Sequence, residues 1–292
     1  LIYAGGGHFY LLAPGDAEAD LDAVRAEISR KLLDHHGGAL YLALGCSPVT
    51  AAGFDRKKFG EHWLGTSQAM STAKRRRFSE LDTDTLHNRV FGPTGIGGEE
   101  EGECQVCHRE EHVHTEREGT EDERRICDFC QSLEALGTDL RDGDYLLLGE
   151  VPPAETTRGG YQDALRAFGT AVGFTTADGR PVLKLPEATQ RASLLATCDL
   201  KDERGSDPVA SGRRIAGQIA RAGGYPVAAG VRYTVNVTPR KGDAIATFED
   251  LQDASRGVRR LGVLRMDVDD LGDVFKWGTQ KAGTLSRVAS LS

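Results

Sequence analysis

Nothing in the 292 residues reads as a secretory signal, and no apolar run is long enough to cross a bilayer. Positive charge is also short: 36 Lys and Arg stand against 44 Asp and Glu, a formal net charge of -8. That balance excludes bulk charge as the means of gripping nucleic acid and leaves the task to local basic clusters. Cysteine is sparse, with six in all. Four of them fall in two C-x-x-C pairs, while Cys46 and Cys198 stand alone. This is the pattern of a metal-binding protein in a reducing cytoplasm, not of a disulfide framework. The length exceeds one typical compact domain and predicts two or three modules. Leu1 lies inside an apparent strand and Ser292 closes no obvious element, so the chain reads as an internal piece of a longer polypeptide.

Leu1 to Pro14 reads as two apolar strands joined by a glycine turn, because glycine reaches positive φ without penalty and the flanking residues are aromatic or branched. A phosphate-cradling loop would need a helix directly after the glycines, whereas Phe9 to Leu12 reads as strand. Leu21, Val24, Ile28 and Leu32 recur at helical spacing, Gly37-Gly38 ends that helix, and Ala39 to Leu44 supplies another short apolar strand. Hairpin, helix and strand in that order predict half of an α+β sandwich, with helices on one face of an antiparallel sheet. His35 and His36 suit a helix C-terminus. Asp55 to Glu80 is again helical and carries Lys74, Arg75, Arg76 and Arg77. Such a run is either a solvated helix end or, as the densest positive patch of an acidic chain, a nucleic-acid contact.

After Leu86 the composition shifts, and Gly92 to Gly102 is a linker rich in glycine and glutamate. It leads into Cys104-Gln-Val-Cys107, a charged arm and Cys127-Asp-Phe-Cys130. The spacing C-x2-C-x19-C-x2-C suits a structural zinc site of four thiolates, each pair forming a knuckle. With all four positions closed, zinc would support folding and not catalysis. Binding free energies of about 10–16 kcal/mol would let a small acidic module fold with hardly any core. His108, His112 and His114 replace a cysteine, bind a second metal or decorate the arm.

Beyond it, a short helix through Leu133 to Gly137 and a buried strand from Tyr145 to Leu148 are expected. From Val151 to Asp243 the periodicity is weak, with Val231 to Val237 the clearest strand. Thr247 to Ser255 reads as a helix with an acidic first turn. Val263, Leu264 and Met266 then read as a buried strand, ending in Asp267-Val268-Asp269-Asp270-Leu271-Gly272. In an extended chain Asp267 and Asp269 share a face, and two hard oxygen ligands there suit Mg²⁺ together with substrate phosphates. An acidic turn closing a strand is the plain alternative. Val274, Phe275 and Trp277 begin a helix whose N-terminus would offer backbone N–H groups to a phosphate near Leu271-Gly272.

Three stretches together, Tyr3-Ala-Gly-Gly-Gly-His-Phe-Tyr-Leu-Leu12, the paired C-x-x-C motifs and Leu264-Arg-Met-Asp-Val-Asp-Asp-Leu-Gly272, resemble the large subunit of type III CRISPR-Cas effector complexes. This is the Cas-ten family, in its type III-A (Csm) branch. The resemblance implies an α+β chain of ferredoxin-like Palm halves, akin to nucleotide cyclases and polymerases, with an inserted four-cysteine zinc module. On that basis residues 1–86 would be the later half of a first, degenerate Palm and 87–150 the linker and zinc module. Residues 151–256 would be an α+β connecting region, and 257–292 the start of a second, catalytic Palm. In that family the second Palm converts ATP into cyclic oligoadenylate when target RNA is bound. Its Mg²⁺ or Mn²⁺ ions are held by an acid on the first strand and by a Gly-Gly-Asp-Asp hairpin.

Asp267 matches the first-strand acid, with Val268 to Gly272 beside the nucleotide, and the hairpin would fall beyond Ser292, so these residues alone should be inactive. At the matching hairpin of the first Palm the chain has Gly5-Gly6-Gly7-His8 and lacks both acids. The family's HD nuclease domain lies outside these residues, so DNA cleavage is not assigned to them. The implied partners are the small subunit, the backbone subunits that bind CRISPR RNA, CRISPR RNA itself and target RNA, in a prokaryotic cytoplasm without membrane association. Two other readings stand beside this one. The first is a zinc-ribbon scaffold that binds RNA or partner subunits, and the second is a diguanylate or adenylate cyclase on the same palm.

Overall fold

The computed structural model describes residues 3–5, 7–54, 58–93, 102–118, 122–155, 159–198, 208–233, 239–242 and 244–263. The chain divides at Gly92/Pro93 and at Leu261/Gly262 into two compact units of mixed helix and sheet. None of the described helices is long and apolar enough to cross a membrane.

The first unit opens with β1 (Tyr3–Gly5) and β2 (His8–Tyr10), an antiparallel hairpin with Tyr3 opposite Tyr10 and Gly5 opposite His8. Two residues make the turn, and Gly7 takes φ +75, a conformation that costs glycine nothing and an L side chain a good deal. Helix α1 (Leu21–His36) stops at Gly37, whose φ of 55 and N–H bond to the Leu33 carbonyl form a left-handed cap. Helix α2 (Phe59–Arg75) stacks Trp63 on Tyr10 at 3.8 Å between ring centroids. A short turn, α3 (Thr83–Thr85), is capped by the Asp82 carboxylate, which accepts the Thr85 N–H at 2.8 Å. Leu33, Phe78 and Leu81 form the buried cluster, and beside it Ser29 and Tyr41 donate their hydroxyls to the Glu80 carboxylate.

Ala39 to Leu44, expected as a strand, has no regular secondary structure. Its backbone is held by side chains instead: Arg77 donates to the Gly38 carbonyl at 2.6 Å, and Arg25 donates twice to that of Leu44, at 3.1 and 2.7 Å. Gly45 then runs so close to α2 that a Cβ there would lie 2.3 Å from the Met70 nitrogen. Of this stretch, Tyr41 packs against the Leu33, Phe78 and Leu81 cluster, while Leu40 is half exposed.

The second unit starts with β3 (Val113–Glu118) and β4 (Asp122–Cys127), an antiparallel pair, followed directly by α4 (Asp128–Asp142). Its main sheet contains β5 (Tyr145–Glu150), β6 (Thr170–Thr175), β7 (Pro181–Leu183), β8 (Arg191–Cys198) and β9 (Val227–Tyr233). Helix α5 (Tyr161–Ala167) joins β5 to β6, and α6 (Pro208–Gly223) joins β8 to β9. The order is β7-β6-β5-β8-β9, antiparallel except for the β8–β9 pair, as a helical crossover requires. Tyr145, Leu147, Ala192, Leu194 and Ala196 share one face, and Ile215 and Ala216 of α6 close over it. β10 (Arg240–Lys241) and β11 (Ala244–Ile245) form a small ribbon, and α7 (Phe248–Asp253) is capped reciprocally by Thr247 and Asp250.

Three expectations change here. The helix around Leu133 to Gly137 is a fifteen-residue element. The strand expected from Val231 to Val237 begins earlier, at Val227, and is described as far as Tyr233, with residues 234–237 outside the described residues. Val263, expected in a buried strand, is 93% exposed and outside any strand, since no described neighbour pairs with its backbone.

Candidate metal centre

The four cysteines of the two C-x-x-C pairs come together. Their sulfurs all lie within 4.8 Å of one another, and Cys107 and Cys127 are 3.6 Å apart. A zinc ion with Zn–S bonds of about 2.3 Å sets tetrahedral sulfurs roughly 3.8 Å from each other, so this donor set fits zinc with shifts of no more than about an ångström. Among the described residues no other group of three or more ligating side chains meets in this way.

Each pair reaches the cluster differently. The first is a knuckle: the Cys104 N–H donates to the Arg109 carbonyl and the His108 N–H to that of Cys104, both at 2.8 Å, while Gln105 is pinned to the Arg125 carbonyl at 3.0 Å. His108 ends the knuckle at φ 57, a position where a side chain is strained and the backbone turn is what matters. The second pair, expected as another knuckle, opens a helix instead. Cys127 is the extended residue before α4, and Cys130 lies in its first turn. A helix start places N–H groups and the positive dipole end beside these sulfurs, the surroundings that favour a thiolate. The arm between the pairs is the β3–β4 hairpin, with Val113 opposite Cys127.

Electrostatics separates the thiols. Burial works against ionising Cys104, but backbone N–H groups of Cys107, Cys127 and Val106 outweigh it and bring the thiol down to about 6. The Cys127 N–H to Cys104 Sγ distance is 3.3 Å. Burial pushes the Cys107 thiol up, and burial with the neighbouring Cys107 and Cys127 sulfurs pushes up that of Cys130. Four thiols so close cannot all ionise unless a cation shares their charge, and a divalent metal supplies that charge.

Around the sulfurs there is little apolar matter: Ile126 is fully buried, with Val113 and Phe129 partly so. The rest is polar. Arg124 forks onto Glu134 at 2.9 and 2.7 Å and reaches Glu116 at 3.3 Å, tying β3, β4 and α4 together. The histidines stay out of the cluster. His114 faces Asp128 at 3.3 Å and Glu116 at 3.6 Å, and His108 faces Glu103 at 3.5 Å.

The other predicted site residues fall elsewhere. Lys74, Arg75, Arg76 and Arg77 are exposed at the end of α2. Arg77 lies over the rings of Tyr41 and Phe78 at 5.7 and 5.5 Å, so part of its role is packing. Asp267, Val268, Asp269, Asp270, Leu271 and Gly272 lie outside the described residues.

Residues 1–90 match the family model described as Csm1 subunit domain B. The whole chain is similar to the CRISPR system single-strand-specific deoxyribonuclease Cas10/Csm1 (subtype III-A) of Mycobacterium tuberculosis, with 25% identity over 317 residues and 33% of that protein covered. Proteins of the same description from Thermococcus onnurineus and Methanocaldococcus jannaschii are 28% and 26% identical, over 94% and 100% of this chain and 31% and 36% of their own lengths. The chain thus spans about a third of the length of these relatives.

Proposed function

We propose that this chain, similar along its length to Cas10/Csm1 proteins of subtype III-A CRISPR systems, is the central part of such a large subunit, joining a degenerate Palm to a catalytic one through a zinc-bound module. In this reading residues 1–86 belong to the first Palm and the chain from 257 opens the second. The module of residues 87–150 and the α+β region of 151–256 lie between them. The observation that carries it is the tight β1–β2 hairpin, because a Palm holds its metal-binding acids at such a turn. Here Gly5 closes on His8, and neither flank offers a carboxylate.

Catalysis is then left to the second Palm, where Asp267, with Asp269 and the Val268 carbonyl, would hold Mg²⁺ or Mn²⁺ against the triphosphate of ATP. Such a metal supplies charge neutralisation at the reacting phosphate and the leaving pyrophosphate. Asp270 would lie beside the nucleotide, and the Leu271 and Gly272 backbone would donate to phosphate oxygens. The product would be cyclic oligoadenylate, made when target RNA engages the assembled complex. CRISPR RNA and the backbone and small subunits would be the other partners. Zinc held by Cys104, Cys107, Cys127 and Cys130 would take no part in the reaction and would keep the module folded.

Replacing Asp267 by Asn in the full-length protein tests this. Loss of a metal-ligating carboxylate is expected to slow ATP turnover on the order of a hundredfold or more, with the complex still assembling. Unchanged turnover would overturn the enzyme reading and favour a scaffold that binds RNA or partner subunits through its zinc module. The completeness of the thiol cluster is what favours that second reading.

A further inference from the structure

The outer edge of β4 aligns the two cysteine pairs. In an antiparallel pair, successive residues turn their N–H and C=O alternately toward the partner strand and away from it. Thr115 of β3 stands opposite Arg125, yet both backbone groups of Arg125 are taken from the other side, by Gln105. The edge away from β3 therefore presents the Arg125 N–H and C=O and, two residues on, the Cys127 N–H. The first cysteine pair uses all three. The Gln105 N–H donates to the Arg125 carbonyl at 3.0 Å, the Gln105 side-chain carbonyl accepts the Arg125 N–H at 3.2 Å, and Cys104 Sγ accepts the Cys127 N–H at 3.3 Å.

Gln105 thus does with one residue what a neighbouring strand does with a pair of backbone groups. The knuckle is closed on itself, with the Cys104 N–H on the Arg109 carbonyl and the His108 N–H on that of Cys104. Its backbone leaves the β4 edge after a single N–H, and the Gln105 amide supplies the acceptor that a strand's next carbonyl would have been. Gln105 is itself exposed, so burial does not account for its place.

We propose that Gln105 is the positioning residue of the thiol cluster, its hydrogen bonds to Arg125 setting the register of the Cys104–Cys107 knuckle against Cys127 and Cys130. The inference rests on the zinc reading of the four thiols. The second pair needs no such help, because Cys127 ends β4 and Cys130 lies in the first turn of α4. A slip of one residue along β4 would displace the knuckle by about 3.4 Å, more than a Zn–S bond of about 2.3 Å tolerates. In a module with little apolar core, folding and metal binding are one equilibrium, so a bond that fixes the register adds to metal affinity. The net contribution of one such hydrogen bond changes an equilibrium constant about threefold to tenfold.

The test is the zinc affinity of the purified chain, by competition with a chromophoric chelator, together with alkylation of the four cysteines at limiting zinc, mapped by mass spectrometry. Gln105→Leu keeps the bulk of the side chain and removes the acceptor. It should weaken zinc binding about threefold to tenfold. Relative to the unaltered chain, alkylation of Cys104 and Cys107 should rise more than that of Cys127 and Cys130, whereas a general loss of stability would raise all four alike. Gln105→Glu, whose carboxylate still accepts the Arg125 N–H, should restore protection of the first pair. Should circular dichroism show that the leucine variant does not fold, Gln105→Asn, one methylene shorter, takes its place with the same expected result. The proposal is overturned if removal of the acceptor leaves zinc affinity unchanged, if both pairs become reactive alike, or if Gln105→Glu fails to restore protection. If the unaltered chain itself binds no zinc, the zinc reading fails and takes this proposal with it, an outcome seen before any variant is made.

Discussion

Two parts of the second unit, the thiol cluster under the β3–β4 hairpin and the five-stranded sheet that follows it, are folded by opposite means. The sheet buries Tyr145, Leu147, Leu194 and Ile215 in one continuous apolar core. The hairpin has Ile126 and parts of Val113 and Phe129, and otherwise sulfur and charge. At about 25 cal/mol per Å² of apolar surface, a handful of side chains cannot offset the entropy of ordering some forty residues. The hairpin must take that free energy from a ligand, and the sheet need not. Helix α4 joins them, with Cys130 in its first turn and β5 just after its end.

The largest expected effect separates the two. On the proposed zinc reading, Cys104→Ser, or a strong chelator, should remove the ion and with it a metal-linked stabilisation of about 10 kcal/mol or more. Amides of Val113–Cys127 should then lose hydrogen-exchange protection while those of Tyr145–Glu150 keep theirs. Equal loss in both regions would mean that the sheet also depends on the metal. The converse change is Ile215→Ala, which removes a fully buried side chain between α6 and the sheet and should cost about 2–5 kcal/mol. Urea denaturation should register that loss with zinc content unchanged. A change outside both regions should disturb neither. Thr247→Val removes the α7 cap, at about 1 kcal/mol.

The same substitution gives a pH signature. The Asp250 carboxyl is held down to about 2 by Lys241, with help from the Thr247 N–H and hydroxyl. A depressed carboxyl contributes stability above the ordinary aspartate range and loses it as pH falls through the folded value near 2. Without the Thr247 hydroxyl that loss should begin at higher pH, as an NMR titration of Asp250 would show.

The same contrast decides what could be read in advance. The four-cysteine spacing is short-range, specific and independent of packing, so Cys104, Cys107, Cys127 and Cys130 were legible as a cluster that could hold a metal. What it could not tell was that the second pair opens a helix, because Asp128 and Phe129 suit a knuckle equally well. Of the sheet, β5 and part of β9 were legible, and β6, β7 and β8 were not. β8 and β9 are parallel and joined across α6, and their small residues, such as Ala192, Ala196, Ala228 and Ala229, give no clean alternation. Gly173 in β6 reads as a turn residue, yet it is glycine because a Cβ would lie 2.8 Å from the Leu183 carbonyl. Ala39 to Leu44 failed in the other direction, since an apolar run does not say whether its neighbour is a strand or the side of a helix. The acids from Asp267 to Asp270 remain a reading of the sequence.

The spacing of the sulfurs has a consequence for how this protein ages. Cys107 and Cys127 stand 3.6 Å apart, and a covalent S–S bond needs about 2.05 Å. Without a metal on these sulfurs, a peroxide-class oxidant could take two electrons from this pair and close a cross-link after a shift of about 1.5 Å. Such a molecule would keep its shape and refuse its zinc, so inactivation by oxidation would look, in bulk, like simple metal loss until a reductant restored uptake.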